Sequence, residues 1–302
     1  MPGNRLRAAL YQVALLGLLA ALVAWLVVNL QANLLARGIP SGFDFLTQPA
    51  GFDIGESLLP FDAAQSYGRA FLVGLVNTLR VALPGMVLAT LLGVAVGVAR
   101  RSHHALLRGL GTGYVELLRN VPLLLQLLLW YLLCTEGLPA IDAPWQAGPL
   151  WLDKAGLHLG TPAGATLSPE YLALLLGLVL YTSAFIAEVV RAGLGAVARG
   201  QIQAAQALGL SPGQVLRIVT LPQALRLVVP PLTNQYLNLT KNSSLAVAIG
   251  YPDLVSVANT AINQTGRAVE CIVVIMLVYL ATSLLTALVM GRYNARVALR
   301  GN

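Results

Sequence analysis

The sequence predicts an all-α membrane protein of six transmembrane helices. Three observations lead there. Of its 302 residues, 57% are hydrophobic and only 10% charged, against about 25% charged in soluble domains. Six runs approach the 20 or so apolar residues that a helix needs to cross about 30 Å of hydrocarbon. Every second interval between those runs carries arginines and no acid, and the acids of the connecting intervals fall in the others, as the positive-inside rule describes. The composition argues against a soluble enzyme, a disordered chain and a disulfide scaffold.

The first run, 8–28, follows Arg5 and Arg7. It is longer than a signal h-region and no small-residue cleavage site follows it directly, so it reads as a retained span. The next three runs are 71–98, 114–134 and 171–190. The fifth, 227–249, is less clean, with Pro230, Pro231 and many amides; the sixth is 271–290. Arg100, Arg101 and Arg108 follow run two, Arg191, Arg199, Arg217 and Arg226 follow run four, and Arg292, Arg296 and Arg300 end the chain. No acid shares those stretches. The opposite intervals hold Asp44, Asp53, Glu56 and Asp62, then Glu136, Asp142 and Asp153, then Asp253. Both termini are therefore expected in the cytoplasm. The net charge of +7 is mostly this topology signal, accompanied by attraction to anionic headgroups of the bilayer; no nucleic-acid partner is expected.

Cys134 and Cys271 cannot build a disulfide framework. They fall near span ends on the same outer side, so one bond is geometrically conceivable; the plainer reading is two small packing residues. His103, His104 and His158 fall in loops without metal-ligand spacing. No Gly-x-Ser-x-Gly occurs and no histidine lies in a span, so an intramembrane hydrolase has little support and no catalytic residue is assigned.

The stretch 188–226 breaks the apolar pattern. Gln201 to Leu208 reads as a short helix, Gly209 as a left-handed stop with Leu210 as its hydrophobic contact, and Ser211 as the cap of a second helix with Pro212 at its first position. That helix is expected to run to about Leu221, where Pro222 interferes with its continuation. A plain connector fits this corner. A DNA-binding helix-turn-helix also has the form, but both sides are tethered to membrane spans. Gln203, Ala204, Ala205 and Gly209 are small or amide residues that permit close backbone approach, which favours a docking surface for a cytoplasmic protein.

Here the sequence resembles a known family. Gln203-Ala204-Ala205, Gly209, Val219 and Leu221-Pro222 match the spacing of the EAA loop of ABC importer permeases, with Gln203 for Glu and Val219 for Ile. The run Glu188-Val-Val-Arg191-Ala-Gly193 is similar to the segment preceding that loop in polar-amino-acid (histidine/glutamine-type) permeases. Arg119-Asn-Val-Pro122-Leu-Leu-Leu-Gln126 and Lys241-Asn242-Ser243-Ser244-Leu245 resemble two more of their segments. The extra first span and the stretch 41–53 look like the first permease of the general L-amino-acid importers. The resemblance covers nearly the whole chain. It implies a type I ABC importer core at 67–292 with its coupling region at 188–226, preceded by an N-terminal span and periplasmic segment at 1–66 and followed by a cytoplasmic tail at 293–302. It also implies a bacterial inner membrane, an ATPase docked on Gln201, Gln203, Ala204, Ala205, Gly209, Leu221 and Pro222, a second permease and a periplasmic amino-acid-binding protein. A P-loop needs Gly-Lys-Ser/Thr; Lys154 follows Asp and Lys241 follows Thr, so ATP and Mg are expected in the partner, with no cofactor in this chain.

Polar groups at membrane depth are costly. Asn234, Asn238 and Lys241 recur at i, i+4 and i+7 and share one face of run five; with Asn242, Ser243 and Ser244 they line a substrate path or serve as interhelical glue. Lys241 alternatively snorkels from the outer end. Pro122 is expected to break run three and free backbone groups, with Gln126 one turn away; interrupted helices often build transport sites. Glu116 with Arg119, and Glu188 with Arg191, are spaced as structural ion pairs. An ion-coupled secondary transporter is the alternative function. It predicts inverted repeats, and none is visible.

Overall fold

The computed structural model describes residues 3–160 and 165–299; Arg300 lies outside them. Helix α1 (Gly3–Ala36) spans the first apolar run. At 1.5 Å per residue its 34 residues extend roughly 51 Å, and its apolar stretch buries nothing against the rest of the chain.

Residues 44–66 behave differently. A 3-10 turn at Asp44–Thr47 seats Phe45, 0% exposed, in the core. The Phe45 ring meets Tyr67 at 5.5 Å and Phe71 at 6.5 Å, centroid to centroid. Glu56 takes Arg80 at 2.6 Å, and Asp44 pairs with Arg267. This segment belongs physically to the outer end of the core rather than to α1.

Helix α2 (Tyr67–Ala99) is capped by the Ser66 hydroxyl, which accepts from the Arg69 amide at 3.3 Å. Its packing partner is α5 (Pro169–Gly195). A Cβ on Gly93 would fall 2.6 Å from Ile186 Cβ, so the two backbones meet where only glycine fits, the close approach that small residues allow between membrane helices.

Run three is not one helix. It divides into α3 (Ala105–Asn120) and α4 (Leu123–Glu136), bent by 105°. Pro122 supplies no N–H and forces the residue before it out of the α region; Val121 accordingly sits at φ −96°, ψ 128°. Among the described residues, five helices are long and apolar enough to span a membrane, or six when the bent pair counts as one span.

The membrane core is all-α as expected, and strands occur in one outer interval. The outer interval after α4 folds as an antiparallel four-stranded meander, β1 (Trp145–Ala147), β2 (Leu150–Asp153), β3 (Gly156–Leu159) and β4 (Ala165–Leu167). His158, expected in a loop, is a buried strand residue whose Nε2 lies 3.1 Å from Asp153 Oδ1. After α5 come α6 (Arg199–Ala207), α7 (Pro212–Gln214), a π-helical turn at Val215–Thr220 and α8 (Leu221–Asn242). A 3-10 segment at Ser243–Ile249, α9 (Leu254–Thr265) and α10 (Ala268–Leu299) complete the chain. Cys134 and Cys271 are both free and buried, in separate apolar clusters, so the conceivable bond is not formed.

Candidate functional site

Two features stand out, a corner outside the spans and a polar face within one. At the corner, α6 ends as the sequence predicts. Gly209 adopts φ +82°. Its amide donates to Gln206 O at 2.9 Å, and the Leu210 amide reaches back to Ala205 O at 3.2 Å, the paired bonds of a Schellman stop. Ser211 then forms a capping box with Gln214, each side chain bonding the other's backbone, a reciprocal arrangement that satisfies two orphan donors.

Gln201, Gln203, Ala204 and Gly209 are exposed, as docking requires. Ala205 is not; it is buried, with α6 folded against the π turn. Pro222 also departs from expectation. It does not stop the helix, because it lies in the first turn of α8, where its missing N–H falls at the wider π turn, the kind of irregularity that absorbs an interrupted ladder. The backbone is therefore one helical run over Pro212–Ile249. Leu208, Leu216, Ile218 and Leu221 stand exposed around the corner; only Leu221 among them was singled out from the sequence. Their apolar spacing alone looks like core.

Behind the corner, Glu188 pairs with Arg191 as predicted, with Arg191 Nε donating to Oε2 at 3.1 Å. A third member, Arg100 at the end of α2, joins Oε2 at 2.5 Å. No sequence spacing signals it; the contact arises from α2 packing on α5.

In α8, Asn234, Asn238 and Lys241 share one exposed face, with Lys241 in the last turn. The hydroxyls nearby do not look the same way. Ser243 is fully buried and donates to Thr240 O at 2.7 Å, and Ser244 donates to Lys241 O at 2.7 Å. Both hydroxyls bond their own backbone, and Ser243, expected to line a path, is buried away from the exposed face that carries Asn234 and Asn238. Asn238 and Asn242 join Gln235, Tyr181, Thr182 and Phe185 around a cleft of about 390 Å³. The α5 residues were missed; the polar Thr182-Ser183 pair in a largely apolar run was the available signal.

Arg119 does not pair with Glu116. Its guanidinium lies 5.0 Å from the centroid of Phe185, beside the cleft, a cation–π distance, while Glu116 Oε2 lies 3.5 Å from Asn120 Nδ2. Gln126 is also reassigned. It is 4% exposed, and its Nε2 donates to Leu118 O at 2.8 Å and Val121 O at 2.9 Å. It satisfies carbonyls that the Pro122 break frees at the end of α3 and does not face a path. A cleft of amides, a hydroxyl, aromatic rings and a neighbouring guanidinium can hold a small solute bearing both charges.

A broken, multi-spanning helical core with a corner projecting between two spans is the architecture of a polytopic membrane protein. The chain belongs to the family of binding-protein-dependent transport system inner membrane components, whose family model matches residues 85–299. It is 40% identical to the amino-acid ABC transporter permease protein YhdX of Escherichia coli K12, covering 97% of this chain and 94% of that protein. It is 37% identical to the general L-amino acid transport system permease protein AapQ of Rhizobium johnstonii, over 97% and 92%. A crystal structure of an amino acid ABC transporter with histidines superposes with a TM-score of 0.60 at 26% identity, covering 76% of this chain and 95% of that chain. The type I importer fold and the permease resemblance are thus established. Membership implies that ATP is hydrolysed by a partner subunit and that a substrate-binding protein and a second permease complete the assembly.

Proposed function

We propose that the chain conducts amino acids through the inner membrane of a bacterium, driven by an ATPase gripping the corner between α5 and α8. The observation that carries this reading is that the helical run Pro212–Ile249, which bears the exposed amide face of α8, begins directly after the Gly209 stop that ends the exposed α6. Both termini face the cytoplasm, following the arginine distribution. The ATPase, which holds ATP and Mg, docks on Gln201, Gln203, Ala204 and Gly209, with Leu221 and Pro222 at the edge. A second permease, a related chain, covers the polar face and closes the path. A periplasmic binding protein delivers substrate to the outer side.

An amino acid carries a carboxylate and an ammonium. The guanidinium of Arg119 suits the first, and the amides and aromatic rings suit the second. Movement of the ATPases displaces the corner and turns the path from one side to the other, a rigid-body transition. No residue of this chain reacts. Ion-coupled transport has no support in the family or in the fold.

The test is Ala204→Glu, at an exposed position of α6, in proteoliposomes containing the whole transporter. A buried unpaired carboxylate at a protein contact is costly enough to weaken docking at least ~10-fold. Uptake should fall correspondingly while membrane insertion persists. Wild-type uptake by this variant would refute docking at the corner.

A further inference from the structure

We infer that the groove between α2 and the corner binds an anionic phospholipid of the surrounding bilayer. This goes beyond the transport reading and depends on no residue of the substrate cleft. The groove has a volume of about 700 Å³, inside the roughly 300–1,000 Å³ range of ligand sites. It runs along the end of α2 and the turn after it, from Val94 to Ser102, and along the π turn and α8 from Thr220 to Val228, about 12 Å of helix on the α8 side. All its walls are apolar except Arg101, Ser102 and Thr220. The apolar walls include Ile202 from the corner and Leu107 from α3, so a chain lying there touches both the membrane core and the corner.

The charge at one end selects the headgroup. Arg100 is consumed by Glu188. Its neighbour Arg101 is exposed, with Nη1 beside Gly195, and has no ion-pair partner among the described residues. No acid lines the groove. An apolar slot between membrane helices with an unpaired guanidinium at its end matches an acyl chain topped by a phosphate. Basic pockets at that level of a membrane protein recognise anionic headgroups.

The whole transporter is placed in nanodiscs of equal phosphatidylglycerol and phosphatidylcholine, and retained lipid is counted by native mass spectrometry. The wild type should keep phosphatidylglycerol over phosphatidylcholine by about 5-fold, from the electrostatic worth of one arginine at an anionic surface. Ala95→Trp, at an exposed lining position that leaves the core intact, should abolish retention of both lipids. Arg101→Gln should keep lipid but lose the preference. Absence of retained lipid in the wild type, indifference to headgroup, or unchanged retention in Ala95→Trp overturns the inference. Unchanged preference in Arg101→Gln overturns it too. None of these results bears on uptake, which separates failure here from failure of the transport reading.

Discussion

Neutralising Glu188 tests the joint between the ends of α2 and α5. Its carboxylate holds two guanidiniums in different surroundings. The Arg100 side chain is 9% exposed, and that of Arg191 is 40% exposed. Arg100 also has a buried Nε without a partner, so Glu188 is its main compensation. Stripping a buried cation of its partner costs about 3–5 kcal/mol, whereas a solvated pair is worth about 0–1 kcal/mol. Glutamine still offers a hydrogen-bond acceptor, which places Glu188→Gln near the lower bound, about 3 kcal/mol. Unfolding in mixed micelles, followed by helical ellipticity against dodecyl sulfate fraction, measures it. A double-mutant cycle then separates the partners: a coupling of about 2 kcal/mol or more for Glu188 with Arg100, and below about 1 kcal/mol for Glu188 with Arg191. Equal couplings, or a Glu188→Gln variant within about 0.5 kcal/mol of wild type, would refute the assignment of Arg100 as the partner that matters.

Three further outcomes are expected. Gly209→Val forces a branched side chain into φ +82°, a strain of about 1–2 kcal/mol; amide exchange across α6 should accelerate and stimulation of the partner ATPase should drop, with Gly209→Asn milder. Burial pushes the Asp253 carboxyl up from 3.8 to about 7. The folded chain then holds this proton more tightly than the unfolded one, so its contribution is full below 3.8, declines as pH rises and is lost by about 7, following proton linkage. Asp253→Asn keeps the cap on α9 and should flatten that part of the thermal-midpoint profile; a profile parallel to wild type would contradict the shift. Gln126→Leu strips the donor from two carbonyls and should lose about 2 kcal/mol or more in the same micelle titration; lost uptake at full stability would return Gln126 to the path.

The parts legible in the sequence were those governed by local chemistry. Gly209, Ser211 and Pro212 announce the corner because only a left-handed stop and a side-chain cap suit those residue types. Pro122 announces the break in run three for the same reason. What escaped was decided by packing. Ala205 sits in the same motif as Ala204 yet turns inward, because α6 leans on the π turn. Arg119 has Glu116 three residues away and still chooses Phe185, a neighbour supplied by α5. Ser243 reads as path lining by composition, but its hydroxyl is spent on its own helix. The four short strands of 3–4 residues each carry too little alternation to be read, and they exist because an outer loop must satisfy its own backbone.

The π turn ahead of Pro222 has a mechanical consequence. Had the proline ended the helix, the corner would hang from the membrane on a hinge, and a pull there would dissipate in the joint. Instead the helical run from Pro212 to Ile249 carries on through the proline, so that on the proposed reading a force taken up by the neighbouring α6 would pass along one backbone toward the amides. On that reading a small tilt at one end would appear as a lateral sweep at the other.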